Sequence, residues 1–205
     1  TGKPMIMSTG MATKAEIEEA VNLVRSIGNN DITLLKCTST YPAKIDDSNL
    51  ATLSDLASTF GCKVGLSDHT QGIASAVAAT ALGACVIEKH FVLDRSAGGV
   101  DAAFSMEPLE LKQLVSICRQ AAASLGEVTY GGTQAEQDFK KYRRSIYVSK
   151  DSKAGDILND SNIRIIRPSL GLAPKHWSEV LGKTLTVDVR KGEALAWSMI
   201  VDSNG

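Results

Sequence analysis

The chain has 205 residues, a net charge of −1 at pH 7 and an apolar fraction of 43%. That length holds one large domain, or a medium and a small one, with a core of its own. The near-neutral balance removes the electrostatic case for a nucleic-acid or anionic-membrane partner. The four cysteines, Cys37, Cys62, Cys85 and Cys118, contain no C-x-x-C. They read as reduced, buried thiols of a cytoplasmic protein.

The chain does not begin with Met and enters the apolar run "PMIMS" (4–8) almost at once, which predicts a piece of a longer protein. Residues 13–28 follow with Ile17, Ala20, Val21, Val24 and Ile27 at helical spacing. Thr13 and Glu16 form a capping box at the start, and Gly28 is a stop at the end. The pattern then alternates: strand 32–39, helix 49–61, strand 63–68, helix 72–84, strand 86–93 and helix 107–126. The most apolar stretch, "IASAVAATALGACVI" (73–87), is shorter than the roughly 20 residues of a bilayer span, so it reads as a buried helix followed by a strand. The strands are continuous apolar runs, as expected of a parallel sheet covered on both faces. The expected fold class is therefore α/β: half of a (β/α)8 barrel, with a small mostly-β module after it.

The domain limits read from texture are 1–127 for the half-barrel, 128–145 for a polar linker and 146–205 for the small module. The linker's "KKYRR" is read as a solvated or ion-paired segment in preference to a nucleic-acid patch. In the last part, "DSKAGDILNDSNI" (151–163) and "DVRKGEALAWSMI" (188–200) repeat D-x-x-x-G-[D/E]-x-L-x-x-x-x-I at an offset of 37 residues. Two copies of equal length predict a pseudo-symmetric β unit.

Functional side chains of parallel strand–helix units gather at the C-terminal strand ends. His69 in "GLSDHT" and His90 in "IEKHF" occupy equivalent places on neighbouring strands. Adjacent strands lie about 4.8 Å apart, so the two imidazoles can share one divalent metal, an open site suited to catalysis. Glu88, two residues before His90, is either a carboxylate that orients this site or half of a barrel-interior ion pair. The hydroxyls of Ser8, Thr38, Ser39 and Ser67 stand near strand ends, as helix caps or as an anion-binding set. Asp101, in the loop "DRSAGGVDAAFS" (94–105), is either a substrate-holding carboxylate or a turn former.

These residues, with "STGMAT", "LLKCTSTYP", "VGLSDHTQGI", "ALGACVIEKHF", "EPLELKQLV" and "RRSIYVSKDSKAGDILNDSNIRIIRP", resemble the sialic acid synthase family nearly end to end. "VLGKTLTVDVRKGEALAWSMI" resembles that family's small antifreeze-like (SAF) domain, and "GGVDAAFSMEP" resembles its pseudaminic acid synthase branch. The resemblance implies condensation of phosphoenolpyruvate with an amino sugar, 2,4-diacetamido-2,4,6-trideoxy-altrose in that branch, to give a nine-carbon 2-keto sugar acid. It implies Mn²⁺ or Mg²⁺ on His69 and His90, phosphoenolpyruvate on Ser8 and Ser67, and the sugar on Asp101. Tyr41 would line the site, Ser39 stands where some members place Asn, and Arg167 would reach a partner's active site in a domain-exchanged homodimer. The product would serve flagellin or surface-polysaccharide glycosylation, and this C-terminal part would be inactive alone. Rival readings are an N-acetylneuraminate or legionaminic acid synthase, a metal-dependent aldolase or hydrolase on a similar barrel, and a non-catalytic SAF-type binding module.

Overall fold

The computed structural model describes residues 2–201, and the chain divides after Glu127 into two compact units. In the first, strands β1 (Met5–Ser8), β2 (Ile32–Cys37), β3 (Lys63–Asp68) and β4 (Val86–Lys89) form one parallel sheet in the order β1-β2-β3-β4. Helices α1 (Lys14–Ser26), α2 (Thr52–Phe60) and α3 (Ala74–Ala81) connect them, and α4 (Pro108–Leu125) follows β4. Neighbours in sequence are neighbours in the sheet, the winding of a barrel wall.

The alternation of side chains along a strand sorts the sheet into two faces. Met5, Met7, Ile32, Leu34, Val64, Leu66 and Ile87 point to one of them. There they pack with Val21 and Val24 of α1, Leu53, Leu56 and Phe60 of α2, and Ala79 of α3. Small residues on α3 let it lie close: Ala76 and Ala79 are fully buried. The opposite face carries Ile6, Ser8, Thr33, Leu35, Cys37, Gly65, Ser67, Val86 and Glu88 in rows set by the register Ser8–Leu35–Gly65–Val86 and Cys37–Ser67–Glu88. Gly65 is required in its row, since a Cβ there would come within 2.5 Å of both Leu35 Cδ2 and the Val86 carbonyl oxygen.

Element ends differ from the sequence expectation for identifiable reasons. Strand β4 stops at Lys89, four residues early, because the chain leaves β3 and pairs instead with the segment before α4. There the Met106 N–H donates to the His90 carbonyl at 2.8 Å, and Val92 N–H to Met106 at 2.9 Å. Helix α3 starts at Ala74 instead of residue 72, because Gly72 has a φ of +77°, a left-handed backbone that cannot belong to the helix. The four cysteines are free, as expected of reduced thiols, but only Cys37 is fully buried, and Cys85 is exposed.

The second unit begins with helical turns: α5 (Gln134–Gln137), opened by a Thr133–Glu136 capping box, and a 3-10 turn over Asp138–Tyr142. The expected linker is therefore folded in part, with Lys141 Nζ over the Tyr142 ring at 5.3 Å. Strands β5 (Ser145–Val148) and β6 (Ile163–Ile166) pair antiparallel, and α6 (Trp177–Val180) follows. The repeat at offset 37 is a structural repeat. Gly155 N–H donates to Leu185 O and Gly192 N–H to Val148 O, both at 2.8 Å; Leu158 N–H donates to Lys183 O and Leu195 N–H to Ile146 O. Ser152 and Val189 exchange two backbone bonds at the centre, as expected where a pseudo-dyad passes. Val148 and Leu185, Leu158 and Leu195, and Ile163 and Ile200 are equivalent pairs in one buried cluster.

Candidate functional site

Strand β3 ends in a run of buried polar residues: Ser67, Asp68, His69 and Thr70 are between 3% and 7% exposed. Burying a polar group is costly unless it is hydrogen-bonded, and each of these is. Ser67 Oγ donates to Glu88 Oε1 at 2.6 Å. Asp68 Oδ1 accepts from the Thr70 N–H and hydroxyl, and Asp68 Oδ2 from Lys89 Nζ. His69 Nδ1 lies 2.9 Å from the Thr38 carbonyl oxygen. A carbonyl can only accept, so His69 Nδ1 is the donor in this contact, the arrangement that leaves Nε2 as the ligating nitrogen of a metal-binding imidazole. The His69 carbonyl accepts from Ala43 N–H, which fixes the backbone beneath the ring.

His90 follows β4 as His69 follows β3. The ring centroids are 5.1 Å apart with planes at 66°. Asp101 Oδ2 lies 3.5 Å from His90 Nδ1, the second imidazole's counterpart to the Thr38 carbonyl. Tyr41 lies tilted 4.2 Å from His69 and 5.7 Å from His90, and Phe104 lies 5.1 Å from His90 and 6.1 Å from Tyr41. The loop that brings Asp101 and Phe104 here is folded into two 3-10 turns. Arg95 fastens it: its backbone N–H donates to Glu107, its Nε to the Ser105 carbonyl, and its guanidinium pairs with Glu107 and Glu110. Ser105 Oγ in turn donates to the Asp101 carbonyl at 2.7 Å. A cleft of about 260 Å³ opens between Ser67, His69, Glu88, Lys89 and His90.

The structure thus brings together His69, His90, Ser67, Glu88, Tyr41 and Asp101. Ser39 adjoins them, its Oγ 3.4 Å from Cys37 Sγ on the same face. Ser8 ends β1 in the neighbouring row and is exposed. Arg167 is an exposed residue of the second unit, just after β6. Of the two readings of Glu88, the bond it makes is to a hydroxyl rather than to a cation. Phe104 was not picked out by sequence; nothing local in "DAAFS" marks it, because its role arises from the loop's fold. The Asp68–Lys89 contact was also missed, although each histidine is preceded by a charge and the two charges are opposite.

The donor chemistry fits a divalent cation. Metal-ligating histidines characteristically donate their second nitrogen to a carbonyl or carboxylate, and His69 and His90 face one of each. With metal–nitrogen bonds of about 2.0–2.1 Å, centroids 5.1 Å apart allow one ion to touch both rings. Among the described residues no group of three or more His, Cys, Asp or Glu side chains converges as a metal site. The protein offers two imidazoles, and other positions around a cation would be left to water or substrate.

The chain is thus a half-barrel wall with paired strand-end histidines, followed by a small β unit of two equivalent halves. The chain belongs to the NeuB family, whose model matches residues 1–130, and the SAF domain model matches residues 143–201. It is 44% identical over 184 residues to the pseudaminic acid synthase of Helicobacter pylori, an alignment covering 89% of this chain and 54% of that protein. It is 41% identical to the N,N'-diacetyllegionaminic acid synthase of Campylobacter jejuni, covering 94% of this chain and 59% of that protein. The crystal structure of the spore coat polysaccharide biosynthesis protein SpsE from Bacillus subtilis superposes with a TM-score of 0.58 at 30% identity. It covers 99% of this chain and 62% of its own. The chain spans about half the length of the curated relatives it matches. Among the described residues no helix is long and apolar enough to cross a membrane.

Proposed function

We propose that this chain carries the metal-binding half of the active site of a nonulosonic acid synthase of the pseudaminic acid branch. The full enzyme condenses phosphoenolpyruvate with 2,4-diacetamido-2,4,6-trideoxy-altrose and releases phosphate. The observation that carries the reading is the convergence of His69 and His90, 5.1 Å apart, each backed by an acceptor at its Nδ1. The greater identity to pseudaminic than to legionaminic acid synthases supports the branch. The same fit makes an N-acetylneuraminate or legionaminic acid synthase the second reading.

In the reaction, carbon 3 of phosphoenolpyruvate attacks the open-chain aldehyde carbon, water adds at carbon 2, and phosphate departs by C–O cleavage. His69 and His90 would hold Mn²⁺ or Mg²⁺, which would supply Lewis-acid polarisation of that aldehyde. Thr38 and Asp101 orient the two imidazoles through an acceptor beside each Nδ1. Ser8, Ser39 and Ser67 position the anionic groups of phosphoenolpyruvate, with Ser67 oriented by Glu88. Tyr41 walls the cleft, and Asp101 at the mouth adds a carboxylate for the sugar's hydroxyl or amide groups. Arg167 reaches the site of a second subunit in a domain-exchanged homodimer. The setting is cytoplasmic, and the product feeds flagellin or surface-polysaccharide glycosylation.

Mn²⁺ titration followed by electron paramagnetic resonance tests the metal half. His69→Ala weakens binding at least ten-fold in this reading, and an unchanged affinity overturns it. Mass spectrometry of the product made by the full-length enzyme with each candidate sugar decides the branch. This chain alone shows no phosphoenolpyruvate-dependent phosphate release, and robust turnover would refute that part.

A further inference from the structure

Asp68 and Lys89 stand directly opposite each other in the β3–β4 register, one residue before His69 and His90 respectively. Their side chains project on the sheet face opposite Ser67 and Glu88 and are 1% and 3% exposed. Lys89 has three donors, and all three are used: Asp68 Oδ2 at 2.9 Å, the Thr70 carbonyl at 2.6 Å and the Gly72 carbonyl at 3.0 Å. Asp68 uses its other oxygen to hold the Thr70 N–H and hydroxyl, and Thr70 reaches on to Ser75 at the start of α3. One ammonium on β4 therefore ties down the whole segment 68–72 that carries His69. Replacing a buried ion pair with apolar groups is often neutral for stability, so a pair retained here is better explained by what it fixes than by energy alone.

We propose that Lys89 and Asp68 form an interstrand clamp that sets the spacing of His69 and His90, making both positioning residues for the ion the two imidazoles share. Among the described residues the cleft side has no comparable side-chain bond between β3 and β4 past the Ser67–Glu88 contact. The clamp is the last side-chain tie between the strands before the histidines. Its link to a metal rests on the reading under Proposed function; its effect on ring spacing does not.

The test compares the wild-type chain with Asp68→Asn/Lys89→Met, which removes both charges together and keeps an acceptor for Thr70. Two readouts are taken. The first is the ring-to-ring nuclear Overhauser effect between His69 and His90 in the metal-free protein. The His176–Trp197 pair of the second unit, 5.3 Å apart, serves as the internal reference. The second is Mn²⁺ affinity. The expected result is a His69–His90 effect at least halved, an unchanged His176–Trp197 effect, and a ten-fold or greater loss of Mn²⁺ affinity. Lys89→Arg, which keeps the charge and several donors, restores part of both. A folded double variant with an undiminished His69–His90 effect overturns the clamp. If that effect is lost while the wild-type chain binds no Mn²⁺, the clamp stands and the metal reading falls. Should the double variant not fold, Asp68→Asn alone, which removes the ion pair and keeps the acceptor for Thr70, decides on the same two readouts: ring spacing and affinity both indifferent to it would overturn the proposal.

Discussion

The two units solve the burial problem in opposite ways. The first places its core on one side of a sheet, between β1–β4 and the helices, and leaves the other side lined by hydroxyls, a carboxylate and imidazoles. On that side Leu35 and Thr33 are buried near the sheet's centre, but Ile6 on β1 is 54% exposed and Glu88 on β4 is exposed. The second unit turns two equivalent chain segments toward each other and buries both in one cluster. The first unit's second face carries the polar rows that lead to His69 and His90, while the second unit's repeat closes its own core. The comparison explains why the polar side chains of the first unit are satisfied by a network and those of the second mainly by turns.

The difference can be broken most sharply in the second core. Leu195 is fully buried, is the repeat partner of Leu158, and packs in a small cluster. Leu195→Ala costs about 2–5 kcal/mol, comparable to everything so small a core supplies. Both tryptophans, Trp177 and Trp197, lie in this unit, so their fluorescence reports it alone. The expected outcome is loss of that transition's cooperativity while the circular dichroism of the first unit's helices persists. A shift of both together would mean that the units do not melt independently.

A smaller effect is expected on the first unit's inner face. Gly65→Ala forces a methyl against Leu35 and the Val86 carbonyl, and overpacking of this kind costs about 1–3 kcal/mol. Far-ultraviolet dichroism should show the first unit melting earlier with the tryptophan transition unmoved. Because Gly65 shares its row with Ser8 and lies one row from Ser67, Mn²⁺ affinity should fall by less than it does in His69→Ala. A fall as large would place the methyl's strain in the site itself.

Much of this was legible in sequence because both units repeat. Strand–helix alternation named all four strands and helices of the first unit, and two equal 13-residue segments named the second unit's symmetry. His69 and His90 were legible because equivalent strand ends must be neighbours in a sequentially wound sheet. What escaped depends on contacts that no local pattern encodes. Phe104 reaches His90 only because Arg95 folds the intervening loop, and β4 ends early only because Met106 takes its place as partner. Lys89 reaches the carbonyls of Thr70 and Gly72 from 19 and 17 residues away.

The smallest effect concerns how the two halves of the second unit fasten to each other. Asp188 Oδ1 accepts from the Ala154 N–H at 3.0 Å, and Asp151 Oδ1 accepts from the Lys191 N–H at 2.7 Å, so each copy caps the other's turn. Among the described residues an ion pair is made at one cap alone, Lys153 Nζ to Asp188 Oδ2 at 2.8 Å. The Lys153 hydrogen bond first, then that of Ala154, holds the Asp188 carboxyl below its ordinary 3.8, and the Asp188 bond lifts Lys153 above 10.5. A carboxyl depressed in the folded state stabilises above its unfolded value and loses that contribution as pH falls through the folded one. A lysine raised in the folded state stabilises below its unfolded value and loses that contribution as pH rises through the folded one. The link therefore acts in full between about pH 3.8 and 10.5 and fades outside it. Both side chains are exposed, so salt screens the pair and the effect is slight. Asp188→Asn keeps the acceptor for Ala154 and removes the charge, so it should flatten the acid limb of the tryptophan-monitored stability curve without moving the neutral plateau far. If the acid limbs of wild type and variant coincide, the neutral cap, made twice by the repeat, is what joins the halves, and the ion pair is incidental to it.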